Sequence, residues 1–323
     1  MNVRRLLLVL LAGVVLYAGF VLYTGYRSMQ QALSQFSAGA LLLTLALSST
    51  NYGLRFLKWQ YYLRRLGIRH VAPLHSLLVF LSGFVLSVTP GKVGEVFKSA
   101  VLAKTHGVPV ERTAPIVIAE RLTDVIGVIV LVVVGSAGFG GGLLWAFIGG
   151  ALVAVGLVAV LWEPPVRWAL RRLSRTRRFA RLVPRLERAY TSLRVVASAD
   201  ALLLPAFLSV IGWGLEGVGL HVLIRGFGAE LDFSFSLFFY ATATLAGAIV
   251  PVPGGLGVTE ALMQEQLVLV GGVAAPIATA SMILIRLCTL WWAVLVGFVA
   301  LGCLRLMFPA LGGSTVVSAA PNS

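Results

Sequence analysis

Apolar residues run along this chain in blocks of about twenty, separated by short charged or glycine-rich connections. A helical block of that length covers the hydrocarbon thickness of a bilayer. The blocks predict spans at 6–24, 37–63, 113–136, 143–162, 201–224 and 275–304. Two more, 75–104 and 234–270, are interrupted part-way. In the first, Pro90-Gly91-Lys92-Val93-Gly94-Glu95 cuts an apolar run that begins at Leu77. In the second, Pro253-Gly254-Gly255-Leu256-Gly257-Val258-Thr259-Glu260 repeats the order Pro-Gly, X, aliphatic, Gly, then Glu. Proline lacks an amide donor and glycine is permissive, so a helix breaks or turns at both places. Irregular backbone at membrane depth is tolerated where it lines protein or a water-filled cavity. The pattern therefore predicts an all-α polytopic membrane protein of eight hydrophobic units: six spans and two broken units.

Charge sets the expected orientation. Arg4 and Arg5 place the amino terminus on the cytoplasmic side, and the second span returns there at Arg64, Arg65 and Arg69. The aromatic and basic end of that span, Arg55 to Arg65 with Trp59, Tyr61 and Tyr62, reads as an interfacial belt. The unit 75–104 also ends in basic residues, Lys104, His106 and Arg112, so it enters and leaves by one face as a re-entrant hairpin. The glycine-rich turn 138–142 lies outside.

The second half echoes the first. Tyr52-Gly53-Leu54 aligns with Trp213-Gly214-Leu215 at an offset of 161, the Pro-Gly breaks at 163, and Arg121-Leu122 with Arg286-Leu287 at 165. With re-entrant hairpins, three crossings separate the copies and the second is inverted; full crossings at the breaks would make them parallel. The expected organisation is an N-terminal span in 1–36, a first repeat and connecting span in 37–162, a basic loop in 163–200, a second repeat in 201–305 and a flexible tail in 306–323.

Composition agrees with the membrane reading and narrows the function. The chain of 323 residues is 59% hydrophobic and 12% charged, with a mean hydropathy of +0.94. Its net charge of +14 sits in loops beside spans, which marks a cytoplasmic face and anionic lipid rather than nucleic acid. Ten arginines crowd the segment from Arg167 to Arg194, interleaved with Trp168, Leu170, Leu173, Phe179 and Leu186. This reads as an amphipathic segment on anionic headgroups, or as an ordinary positive-inside loop. The apolar amino terminus lacks a small-X-small cleavage site and reads as an uncleaved span. Cys288 and Cys303 have no metal-ligand spacing, and His70, His75, His106 and His221 form no close-spaced cluster, so no metal or other cofactor is expected. No P-loop, Rossmann fingerprint or Ser-His-Asp order is present.

Ionisable residues inside apolar segments each ask for an explanation. Lys92, Glu95, Lys98, Glu120, Arg121 and Asp124 fall in the first repeat; Glu260, Glu265 and Arg286 fall in the second, with Glu216 and His221 on the preceding span. Glu120 and Asp124 share a helix face. Arg121 is within reach of Glu95 or of a bound phosphate, which a guanidinium grips bidentately. The candidate headgroup-binding set is Lys92, Glu95, Lys98, Arg121, Asp124, Glu260 and Arg286, hinged at Pro90, Gly91, Gly94, Pro253, Gly254, Gly255 and Gly257. The same charges also admit a purely structural role, pairing across the bundle.

Arg55-Phe56-Leu57-Lys58-Trp59-Gln60-Tyr61-Tyr62-Leu63-Arg64-Arg65-Leu66-Gly67, the two Pro-Gly breaks and Glu120-Arg121-Leu122-Thr123-Asp124 resemble the lysylphosphatidylglycerol synthase transmembrane-region family. That is the flippase-like half of the bacterial multiple peptide resistance factor, and the resemblance covers about 30–305. It implies movement of a lipid between leaflets. Aminoacyl transfer in that factor belongs to further spans and a cytosolic domain, for which this sequence leaves no room, so lysyl transfer is not expected. Lys92 stands where many relatives are expected to carry arginine; the charge is kept and the bidentate fork is not.

The resulting expectation is a multi-pass bacterial inner-membrane translocase for a lipid with a polar, anionic headgroup, working alone or beside lipid-synthesis enzymes. Two alternatives stay open: a membrane-embedded transferase acting on a polyprenyl-phosphate-linked sugar, and a non-transporting scaffold of a lipid-synthesis complex.

Overall fold

The computed structural model describes residues 26–34, 36–88, 95–136, 162–174, 182–250 and 252–311, with isolated positions between 15 and 22 and between 144 and 155. Apart from those isolated positions and Trp162, the expected spans 6–24 and 143–162 lie outside the described residues, as do the turn 138–142 and Pro90, Gly91, Lys92 and Gly94. Every described element is helical. In chain order they are α1 (Tyr26–Ser34), α2 (Ala38–Arg65), α3 (Pro73–Ser82), α4 (Phe97–His106), α5 (Val110–Gly135), α6 (Glu163–Ser174), α7 (Val183–Val196), α8 (Ala199–Gly226), α9 (Phe233–Ile249), α10 (Val258–Leu269), α11 (Ala275–Arg286) and α12 (Trp292–Met307). A π-turn, Leu287–Trp291, joins α11 to α12 into one rod of 33 residues. That rod and α8 are long and apolar enough to cross a membrane by length and composition. The all-helical architecture fits a membrane-embedded protein.

Local chemistry sets the boundaries. Asp232 caps α9, accepting from the amide and hydroxyl of Ser234. Proline occupies the first turn of α3, α7 and α11, where its missing donor costs nothing. The second break needs glycine: Gly254, Gly255 and Gly257 have φ of 62°, 71° and 88°, a region that disfavours other residues.

The most extensive contact is between α2 and α8. Thr44 meets Gly219, Asn51 meets Glu216, Lys58 meets Ser209 and Arg65 meets Asp200, so the two helices run antiparallel. The broken units are exchanged across this pair, with α3 packing on α12 and α9 on α5. Each doubles back. His75 at the start of α3 meets His106 at the end of α4, and Phe308 covers both rings. Gly271, just past α10, lies against Leu231 and Phe239. Gly254, in the second break, packs on Val88, at the end of the first apolar run, beside Leu290 and Val294.

Two apolar cores flank that meeting point. One gathers Trp59, Tyr62, Phe80, Phe84 and Leu102; the other gathers Leu220, Phe239, Met263, Leu267 and Met282.

Candidate functional site

On α2, Asn51, Arg55, Lys58 and Tyr62 recur at spacings of four, three and four, which puts them on one helix face. Because α2 sits against α8 and α5, that face looks into the protein. This corrects the expected interfacial belt: Lys58 is 1% exposed and Trp59 is fully buried. Charges removed from water must be paired, or the group is destabilising. Lys58 accordingly donates to Asp124 at 2.7 Å and to Ser209 at 2.6 Å, tying α2 to α5 and α8. Ser209 also donates to Asp124 at 3.1 Å.

The network continues toward the first break. Arg121 lies 3.0 Å from both Asp124 and Glu95, and Arg55 lies 3.4 Å from the other oxygen of Glu95. Glu95 follows the break directly, so the two guanidiniums hold the start of the returning segment. The expected reach of Arg121 to Glu95 is thus present. Lys98 behaves otherwise: it is paired with Glu120 at 2.5 Å and capped by the rings of Trp59 and Phe80 at 4.7 and 5.2 Å. Of the two carboxylates expected on one face of α5, Glu120 serves Lys98 while Asp124 serves Lys58 and Arg121.

The second break is held by one arginine. Arg286 Nε donates to Glu260 at 2.6 Å, and its Nη2 donates to the carbonyl of Gly254 at 2.7 Å. Glu260 in turn accepts from the amide of Gly257 at 2.8 Å. One guanidinium therefore grips both the irregular turn and the helix that leaves it. The π-turn begins just after Arg286, and its Thr289 carbonyl accepts from the Tyr52 hydroxyl at 2.5 Å. Nearby, Glu216 accepts from Asn51 at 2.5 Å and from the hydroxyl of Tyr240.

These groups surround a cavity of about 280 Å³ between Ser87, at the end of the first apolar run, and the second break. Arg55, Arg121 and Arg286 line it, with Asp124, Glu216 and Tyr240, and its floor is the Val252, Gly254 and Gly255 backbone. Arg121 is about a quarter exposed to this space. Buried Nε of Arg121 makes no hydrogen bond. The three guanidiniums bring hydrogen-bond donors to this concave site, and each is paired with a carboxylate: Glu95, Asp124 or Glu260. Among the described residues, no group of three or more His, Cys, Asp or Glu is placed to hold a metal.

Of the residues expected from the sequence, Arg121, Asp124, Arg286, Gly254 and Gly255 come together on the cavity wall. Glu95 and Glu260 stand behind it as partners of arginines, and Lys98 turns away into the first core. Lys92 is outside the described residues. Sequence reasoning left out Arg55, Lys58, Tyr240 and Asn51 and gave Glu216 no role. The spacing along α2 was the available signal for three of them.

Comparison with known proteins places the chain among membrane proteins. A "UPF0104 membrane protein" of Methanothermobacter thermautotrophicus is 29% identical over 96 residues, 30% of this chain and 28% of the relative. Another, of Methanocaldococcus jannaschii, is 23% identical over 182 residues, 55% of this chain and 76% of the relative. The chain thus spans little more than a quarter of the first relative and about three quarters of the second. The model of the family described as "Lysylphosphatidylglycerol synthase TM region" matches residues 9–297, a stretch that takes in both breaks, both arginine–glutamate pairs and the cavity between them, and the chain belongs to that family.

Proposed function

We propose that this protein moves a lipid with a polar, anionic headgroup from one leaflet to the other. The observation that carries the reading is the arginine-lined cavity beside the second helix break. Four further features support it. The two units that double back have their bases at opposite ends of the antiparallel α2–α8 pair, as expected of an inverted repeat with hairpins re-entering from opposite faces. Their exchanged packing gives each repeat a hairpin lodged against the other repeat. The ends of α2, α4 and α12 and the starts of α5 and α8 share one face, rich in arginine, which fits the cytoplasmic side. The family's name ties its members to lipid chemistry.

In this reading the headgroup leaves one leaflet, occupies the cavity and departs to the other, while acyl tails stay in the hydrocarbon. Arg55, Arg121 and Arg286 hold the phosphate in place of part of their contact with Glu95 and Glu260. Asp124 and Glu216 keep the empty cavity from carrying an uncompensated positive charge.

The test is leaflet-specific quenching of fluorescent phosphatidylglycerol in proteoliposomes. The wild type should expose inner-leaflet lipid to the quencher, and Arg121→Ala should lose most of that transfer while retaining its elution profile. A second variant, Val88→Cys/Leu290→Cys on a Cys288→Ser/Cys303→Ser background, is designed to tie the end of the first apolar run to the π-turn beside the second break. Oxidation should stop transfer and reductant restore it. Transfer indifferent to both changes rejects the cavity as the path.

A further inference from the structure

The segment between the two repeats has a surface that the translocation reading does not use. Helix α6 has no buried residue. Its apolar edge, Val166, Leu170 and Leu173, is half covered, and it packs on α7. The opposite side carries Arg167, Arg171 and Arg172 around Trp168, which is 63% exposed. The guanidinium of Arg172 lies 5.5 Å from the indole centroid. Arg185 and Leu186 of α7 are also exposed. Across the two helices six described arginines face two carboxylates, Glu163 and Glu187.

Position decides what such a surface meets. Arg194, in the last turn of α7, lies 3.1 Å from Glu163 in the first turn of α6. Three residues after α7 ends, α8 begins, and its Asp200 is bonded to Arg65 at the end of α2. Midway along its length α7 is pinned by Arg188 to Glu111, in the first turn of α5. The start of α6 therefore sits level with the ends of three long helices. Trp162, 61% exposed, stands at that level, where indoles favour the headgroup region.

We infer that the Trp168, Arg167, Arg171 and Arg172 face of α6 is a binding surface for anionic lipid headgroups, separate from the central cavity. Arginine attracts the negative surface potential and tryptophan settles at the acyl boundary, while a neutral zwitterionic surface offers only the second interaction. The choice of lipid over an acidic protein rests on the level at which α6 lies and on the two exposed indoles.

The full chain in nanodiscs tests this without a transport assay. A Ser174→Cys variant on the Cys288→Ser/Cys303→Ser background carries a bimane label at the end of α6. Its emission should shift to the blue when phosphatidylglycerol is added to phosphatidylcholine, and high salt should reverse the shift. Neutralising Arg171 and Arg172 to glutamine, at exposed positions that leave the core untouched, should weaken the response to phosphatidylglycerol about fivefold per arginine. Equal emission in the two lipid compositions overturns the assignment and leaves the face to an acidic protein. A phosphatidylglycerol response that survives both substitutions overturns it as well.

Discussion

The two halves of the molecule hold their breaks in different ways. In the first half, seven charged side chains from α2, α4 and α5, with the segment before α4, form a mesh that links those helices to each other and to α8. In the second, Arg286 alone spans Glu260 and the Gly254 carbonyl, inside one sequence-local unit of α10, α11 and the turn before them. At the sequence offsets of 161 and 165, the second half has Gly219 and Thr289 where the first has Lys58 and Asp124. Charge was thus spent on inter-helix ties in one half, while the other kept a self-contained clasp. The comparison teaches that the geometry shared by the two halves is arginine to post-break glutamate. The mesh around Arg121 predicts that the first half is the anchor.

The sharpest way to break this contrast is to remove a tie of the mesh. Lys58→Ala leaves Asp124 and Ser209 buried without their ammonium, and losing one partner of a buried pair costs roughly 3–5 kcal/mol. The expected result is a large drop in melting temperature in detergent, recovered in good part by Lys58→Met/Asp124→Leu. Equal melting of the single and double variants would show that Asp124 does not depend on Lys58. In the second half, Arg286→Lys keeps the charge but cannot span both Glu260 and Gly254. The lost charge-assisted bond is worth about 1.5–3 kcal/mol, so the cost should be smaller than for Lys58→Ala. If Arg286→Lys proves the more damaging, the second half is the anchor and the contrast is inverted.

How much of this was legible in the sequence follows the same division. The self-contained clasp was readable, because Pro-Gly, glutamate and arginine recur in the same order in both halves of the sequence. The long-range mesh was not. Arg55 and Lys58 sit among Trp59, Tyr61 and Tyr62 near a helix end, a composition that interfacial belts share. Only the packing of α8 across α2 turns that face inward. Lys98 misled in the other direction: closeness to the break suggested the site, yet the helix turns it onto Trp59 and Phe80. Glu216 and Tyr240 lie 24 residues apart on two helices, and nothing local announces that they meet. The architecture was legible in outline, with described boundaries within a few residues of expectation; α8, for example, runs 199–226 against 201–224. The π-turn after Arg286 has no sequence signature of its own.

A smaller effect probes the packing behind the second clasp. A methyl group on Gly247 would overlap the Thr259 hydroxyl, which lies one residue before Glu260. Gly247→Ala should cost about 1–3 kcal/mol by overpacking. Gly247→Ala/Thr259→Ala should return part of it, since the clash is with the side chain that the second change trims. Unfolding in denaturant measures both, and additive losses would mean that the glycine is required for some other reason.

The smallest effect distinguishes the bases of the two hairpins. The first is closed by the rings of His75 and His106 at 3.3 Å under Phe308, whereas the second is closed by apolar contact around Gly271. Burial, with His75 and His70 nearby, holds the His106 imidazole below its ordinary value near 6.5. The folded protein therefore binds fewer protons there than the unfolded chain once the pH falls below about 6.5, and stability declines with acidification through that window. The decline ends when the pH passes below the folded-state value, where both states are protonated. His106→Gln should flatten this part of the melting-temperature profile while leaving neutral stability nearly unchanged, because glutamine keeps a polar side chain of similar reach. An acid slope of undiminished size in His106→Gln would move the titration elsewhere, and the two hairpin bases would then differ in composition but not in their response to pH.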